Sequence, residues 1–294
     1  MADRDRPASD QSVGRIVDAH VHLWDPANTE WYPYLSGLRD VGMGELSGWA
    51  RYFDQSTYFS ESANWQIEKF VHVAAASDVV AETLQKQEES EATGHPDAIV
   101  GGVHPTDVTL ARGQIDRQLE ANRFRGVRPM GGTSEHGVPA QEVLKVLQER
   151  HLVLDLMAHP DQLLGAATAL RPWDGLVVVV EHAGWPRSDT DDEFRLWQQG
   201  MSKLAALGPN VHCKLSGLSM PFRSMDPRVL RRWTDQCLEL FGVDRCLFGS
   251  NFPPDGAAGS LDQLLGSLVE LTADLDAVDR AMVFAGNAER VYRC

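Results

Sequence analysis

Along this chain, short runs of aliphatic and β-branched residues alternate with longer stretches in which apolar residues return every three or four positions. The first pattern belongs to strands and the second to amphipathic helices. Ile16 to Trp24 predicts the first strand, and it is unlike the others: Asp18, His20 and His22 fall at two-residue spacing among Val17, Ala19, Val21 and Leu23. Side chains alternate across a strand, so this spacing places one acid and two imidazoles on one face. Lys69 to Ala76, Ala98 to His104, Gly126 to Met130 and Leu152 to Ala158 predict the next four strands. Leu176 to His182 is nearly all valine at its centre, the mark of a strand covered on both faces in a parallel sheet. Val211 to Ser216, with His212, Lys214 and Ser216 on one face, and Cys246 to Asn251 complete the series.

Helical patterns fill most of the gaps. One runs from about Asp78 to Glu91 with Ser77 as its N-cap; another, Pro139 to Arg150, carries Val143, Leu144 and Leu147 as a stripe. A third has Phe194, Trp197, Met201 and Leu204 on its apolar side and stops at Gly208-Pro209. Asp226-Pro227 opens a fourth as N-cap and first helical residue; its apolar side is Leu230, Trp233, Cys237 and Leu240, and Gly242 ends it. The segment Asp25 to Glu68 breaks the rhythm. It follows Trp24, holds Trp31, Tyr32, Tyr34, Trp49, Tyr52, Phe53, Tyr58, Phe59 and Trp65, and predicts a mostly irregular cap beside the end of the first strand. The alternative is that it only packs over the side of the sheet. Eight strands with helical spacers over roughly 250 residues predict an α/β fold, a (β/α)8 TIM barrel with an aromatic-rich insertion after strand 1. A doubly wound open sheet would want a glycine-rich phosphate turn after the first strand, where this chain has Trp24-Asp25-Pro26.

With 294 residues, 43% of them hydrophobic, the chain can bury a large core. Met1 to Gly14 reads as a loose, disordered tail without the apolar core of a signal peptide, and 15–294 as one barrel domain. The longest aliphatic run, Leu176 to Val180, is far short of the roughly 20 residues of a membrane span. A formal charge of −15 argues against a nucleic-acid partner. Four cysteines without a CxxC pair suit free thiols and the cytoplasm.

In such barrels chemistry sits at the C-terminal strand ends. Those ends here carry His20 and His22, His104, Arg128, His159, His182, Lys214 with Ser216, and Asn251. Neighbouring neutral imidazoles can ligate a metal, hold a water or polarise a carbonyl. Arg128 and Lys214 suit a carboxylate or sugar-acid oxygen of a small-molecule substrate, or else a buried ion pair.

Taken together, Val17-Asp18-Ala19-His20-Val21-His22-Leu23-Trp24-Asp25-Pro26, Val71-His72-Val73, Arg125-Gly126-Val127-Arg128, Val180-Glu181-His182-Ala183-Gly184-Trp185-Pro186, Lys214-Leu215-Ser216-Gly217-Leu218, Phe248-Gly249-Ser250-Asn251-Phe252-Pro253 and Gly286-Asn287-Ala288 carry a resemblance. The chain resembles the amidohydrolase superfamily, in particular its branch containing the 2-pyrone-4,6-dicarboxylate, L-fucono and sulfomuconolactone lactonases. The resemblance implies that His20, His22 and His182 bind one divalent metal, zinc or manganese, or polarise a substrate oxygen without one. It also implies a lactone-opening hydrolase acting on a sugar acid or an aromatic-breakdown acid. Arg128, Lys214, Ser216 and Trp24, together with His159, which matches no position of the family pattern and is as readily structural, are the candidates around the substrate. The family's strand-eight pattern has an Asp as base for the attacking water, and this chain has Asn251 there. An amide cannot serve as that base, which leaves Asp255, His182, His159 and His104 as acceptors. A metal-dependent decarboxylase or hydratase is the alternative enzyme, and a non-catalytic ligand-binding relative the alternative to catalysis. A homo-oligomer is compatible with all three.

Overall fold

The structure, a computed structural model, describes residues 13–37, 50–132 and 134–294. Eight parallel strands follow one another around a single sheet in chain order. They are β1 (Arg15–Val21), β2 (Gln66–Val73), β3 (Ala98–Val103), β4 (Phe124–Pro129), β5 (Val153–Leu156), β6 (Val178–Val180), β7 (Val211–Leu215) and β8 (Cys246–Phe248). The chain just past β8 returns to β1, where Asn251 N donates to His20 O at 2.8 Å and His22 N donates to Phe252 O at 2.9 Å. The sheet thus curls into a nearly closed barrel, the expected (β/α)8 architecture.

Two short helices, α1 (Pro33–Gly37) and α2 (Gln55–Glu61), lie in the insertion between β1 and β2. The outer layer is α3 (Val79–Thr93), α4 (Val108–Gln118), α5 (Gln141–Glu149), α6 (Pro160–Leu170) and α7 (Asp191–Ala205), then a single turn α8 (Ser219–Phe222), α9 (Pro227–Phe241) and α10 (Leu261–Leu271). After α11 (Ala277–Ala281), α12 (Asn287–Tyr292) packs its Ala288, Val291 and Tyr292 into the apolar cluster inside the barrel. It closes the N-terminal end: its Glu289 pairs with Arg15 at 2.6 Å and with Lys69 at 2.8 Å, at the starts of β1 and β2.

Several expectations change. Strands six and eight are shorter than the aliphatic runs suggested, because His182, Ala183 and Asn251 have left-handed backbones (φ 52, 51 and 53) that turn the chain out of the ladder. The N-cap of α3 is Asp78, whose carboxylate accepts from Ala81 N, and not Ser77, whose hydroxyl instead donates to Glu30 O. Asp18 does not share a face with His20 and His22. Between β1 and β2, Asp18 pairs with Phe70 and Val21 with His72, three steps against two. This bulge shifts the alternation by one residue. Val17 and Ala19 accordingly pack in the interior cluster while Val21 and Leu23 pack in the outer one. Asp18 turns outward to accept from Tyr58 Oη at 2.7 Å and from Ser250 N at 2.8 Å, tying the insertion and the β8 loop to β1. Of the expected tail only Val13 and Gly14 are described; the rest, like Trp49, lies outside the described residues. Among the described residues no helix is long and apolar enough to cross a membrane.

Candidate active site

His20 and His22 leave β1 at the C-terminal mouth with their Nε2 atoms 3.1 Å apart. The surroundings fix where their protons sit. His22 Nδ1 donates to Val73 O at 2.8 Å, so its Nε2 is a lone pair. Lys214 Nζ lies 3.4 Å from His20 Nδ1 and donates to it, so His20 carries its proton on Nε2 and passes a hydrogen bond to His22. Lys214 is itself fully buried, and Nζ also donates to Asp155 Oδ2 at 2.6 Å. Tyr292, from α12, donates to the same carboxylate at 2.8 Å. Burial pushes Asp155 up to about 6.

The His182 ring centroid is 4.7 Å from that of His20. Its Nδ1 is 2.9 Å from Ser216 Oγ. The contact admits two arrangements: with the serine hydroxyl donating, the His182 proton sits on Nε2, and with it accepting, on Nδ1. Gly217 is required beside this contact: its φ is +65°, and a Cβ on it would come within 2.4 Å of His182 Nδ1. Burial first, and then neighbouring cationic groups, hold all three histidines well below the usual imidazole range, so they are neutral.

Sequence reasoning missed Glu181 as a site residue. Its two carboxylate oxygens are buried without a hydrogen-bond partner. Oε1 is 3.5 Å from His20 Nδ1, and Oε2 is 3.3 Å from Arg128 Nη2 and 3.9 Å from His182 Nε2. The signal was available: Glu181 is an acid ending a run of valines, two residues after the inward Val179. His20, Glu181 and His182 each offer a donor atom within 4.8 Å of the others. Nitrogen and carboxylate donors of this kind, with the carboxylate lacking any hydrogen bond, fit one divalent cation. His22 stands beside this group, its Nε2 3.1 Å from that of His20.

Above the histidines lies a cavity of about 390 Å³, whose lining includes His22, Trp24, Arg128, His182, Trp185 and Asn251. Trp24 stacks on His22 with ring centroids 5.4 Å apart and planes within 5°. From the insertion, Tyr34 reaches the lining and donates to Ala75 O, whereas Trp31 and Tyr32 line a neighbouring cavity of about 510 Å³. Of the other sequence candidates, Lys214 and Ser216 act on His20 and His182 from behind. His159 donates from Nδ1 to Trp185 O at 3.2 Å and so supports a pocket wall. His104 accepts from Asp107 N at 2.9 Å, holding a loop. Asp255 is fully buried behind Asn251, whose Nδ2 donates to its carboxylate at 2.6 Å. Burial pushes Asp255 up to about 7.

A family model described as Amidohydrolase matches residues 17–294. An L-fucono-1,5-lactonase from Burkholderia ambifaria is 30% identical over 295 residues, covering 94% of this chain and 95% of that protein. A second L-fucono-1,5-lactonase, from Burkholderia multivorans, is 35% identical over 158 residues, or 50% of this chain and 53% of its own. Among solved structures, an amidohydrolase from Burkholderia multivorans with bound HEPES aligns at a TM-score of 0.79 and 25% identity, over 95% of this chain and 99% of that one. A zinc-bound crystal form of that amidohydrolase aligns at 0.78 and 24% identity, with the same coverage.

Proposed function

The chain belongs to the amidohydrolase family, and from that premise we propose that it is a hydrolase opening a lactone of an organic acid. The observation that carries the reading is the ring of neutral histidines, with Arg128, under one cavity at the barrel mouth. The substrate's carbonyl oxygen meets His182 Nε2–H, a neutral imidazole polarising it as an oxyanion-hole donor would. Asn251 spends its Nδ2 on Asp255 and on Met220 Sδ, which leaves its carbonyl oxygen to orient the attacking water. The water's proton ends on Asp255, one side chain behind; its pKa of about 7 suits an acceptor working near neutrality. Water oxygen bonds to the carbonyl carbon, the ring C–O bond breaks, and the proton held by Asp255 is returned to the ring oxygen, which becomes the hydroxyl of the product acid and leaves Asp255 ready for the next water. Lys214 and Asp155 hold His20 in one tautomer, and Ser216 holds the His182 ring in place. A divalent ion on His20, Glu181 and His182 would take an unprotonated nitrogen from each imidazole, the His182 proton then lying on Nδ1 toward Ser216, and would supply at the carbonyl the Lewis acidity that replaces that N–H.

A panel of lactones, including L-fucono-1,5-lactone, followed by acid release with and without a chelator, tests the reading. Acid release above the uncatalysed rate supports it, and loss of that release with chelator assigns the polarising role to the ion. Release of CO2 from a carboxylated substrate with no lactone opened would replace it with the decarboxylase reading, and saturable binding without turnover with a ligand-binding relative.

A further inference from the structure

We propose that this pocket takes a flat lactone with a largely apolar ring and one carboxylate, and not a polyhydroxylated sugar lactone; the inference rests on the lactone-opening reading. Much of the wall is Met130, Met157, Met220, Trp24 and Trp185, with prolines, alanines and glycines between them. Thioethers and indoles suit a planar ring and offer little to a hydroxyl.

The polar side chains of the described lining are nearly all committed. His22 is hydrogen-bonded to His20 and Val73, His182 to Ser216, Asn251 to Asp255, and Tyr34 to Ala75. The polar atoms left over on the described lining, His182 Nε2 and the Asn251 carbonyl oxygen, are taken by the lactone carbonyl and the attacking water. A sugar lactone would therefore bury several hydroxyls against side chains that offer them little, and each unpaired one weakens binding.

Arg128 is the exception. Of its five donors, Nη1 reaches Ala74 O only at 3.5 Å, Nη2 meets the Met157 thioether at 3.1 Å, and Nε is buried with no partner. Its ion pair with Glu181 is made at 3.3 Å without a hydrogen bond to either carboxylate oxygen. A guanidinium so poorly used, opening on an apolar cavity, is fitted to a planar carboxylate that can take two of its N–H groups.

The test compares coumalate, a 2-pyrone with one carboxylate, its methyl ester, and L-fucono-1,5-lactone on the whole protein. Turnover is followed as kcat/KM, and binding by tryptophan fluorescence. Coumalate should exceed the sugar lactone in kcat/KM by about 100-fold. Esterifying it, or making Arg128→Met, should cost about 10- to 100-fold, the range of a charge-assisted hydrogen-bonded contact. Arg128→Lys, which keeps the charge and guards against a misfolded variant, should recover part of the loss. Equal or better turnover of the sugar lactone would overturn the proposal, as would an Arg128→Met loss of the same size on both lactones. Coumalate that binds in an Arg128-dependent way without being opened would overturn the lactonase reading and leave the pocket inference standing. No coumalate binding at millimolar concentration would overturn the inference itself.

Discussion

The barrel interior divides into two layers built by the same alternation of side chains. On β5, Val153 packs in the apolar cluster and Asp155, the next inward residue, belongs to the ionised one; on β6 the same step leads from Val179 to Glu181. Toward the N-terminal end, Val17, Ala19, Val71, Val100 and Leu247 meet Val291 and Tyr292 of α12 in a dry plug. Toward the mouth stand His20, His22, Arg128, Asp155, Glu181, His182 and Lys214. The apolar layer is what makes the polar one unusual. With water shut out from below, the imidazoles stay neutral and Asp155 rises to about 6. His212, low on β7, shows the same force away from the mouth: burial first, and then Arg290 and Arg245, lower it to about 4.

The mouth should respond most to loss of its proposed proton acceptor. Asp255→Asn should lower kcat by about 10²–10⁴, the contribution of a general base, with KM little changed. It also changes stability with a definite sign. The folded-state pKa of Asp255, about 7, lies above its ordinary value of 3.8, so the folded protein holds this proton more tightly than the unfolded chain. That contribution is fully present below about pH 4 and is lost as pH rises through 7, at about 1.4 kcal/mol for each pH unit crossed between those two values. The asparagine variant lacks this slope. Urea melts at pH 4 and pH 8 should therefore show the variant gaining on wild type as pH rises; parallel melts would mean that Asp255 is not buried as described.

Lys214→Met strikes where the layers meet. It leaves Asp155 buried without its cation, which should cost about 3–5 kcal/mol, while Lys214→Met combined with Asp155→Leu should recover most of it. A loss under about 1 kcal/mol for the single variant would show that water reaches the pair and that the division between layers is not sharp.

How much of this was legible in the sequence differs between the layers. The strands were readable because valine-rich runs bounded by Gly, Pro and Asp carry a strong period, and His20, His22 and His182 stood out as polar residues on such runs. The bulge that turns Asp18 outward was not readable, since an extra residue in one strand is defined only by its pairing with β2. Nor were the partners of Lys214. Asp155 is 59 positions away and lies in what reads as an apolar strand, and Tyr292 is a further 137 positions from Asp155. The mouth was legible at His20, His22, His182, Arg128 and Lys214 but not at Glu181 or Asp155, and the wiring behind it depends on contacts that only closure of the barrel creates.

The apolar layer makes a contrasting prediction. Leu247→Ala removes buried methyl groups from the plug and should cost about 2–5 kcal/mol, from the lost burial and the cavity left behind. Leu247 is paired with Lys214 across β7 and β8 through the backbone, which the substitution leaves in place, and its side chain brings no polar atom to the proposed chemistry, so kcat at 25 °C should stay within about twofold. A large fall in kcat with full retention of fold would show that the plug positions the histidines directly, and the two layers would then be one unit.

The smallest expected effect belongs to Tyr292, which is part of the apolar cluster by its ring and of the polar layer by its hydroxyl. Tyr292→Phe keeps the ring and removes one hydrogen bond to a charged acceptor, which should cost about 1.5–3 kcal/mol. The cost should depend on pH. The hydroxyl lowers the Asp155 pKa against burial, so its removal lets that pKa rise further above the ordinary 3.8. A wider gap between folded and unfolded pKa means more stability lost as pH rises, so the deficit should be small at pH 4 and full above about pH 7. Chemical denaturation of both proteins across that range reads this out. A deficit that does not change with pH would place the energy in packing of the ring, and the hydroxyl would then be a passenger of the apolar layer and not the link between the C-terminal helix and the Asp155–Lys214–His20 chain.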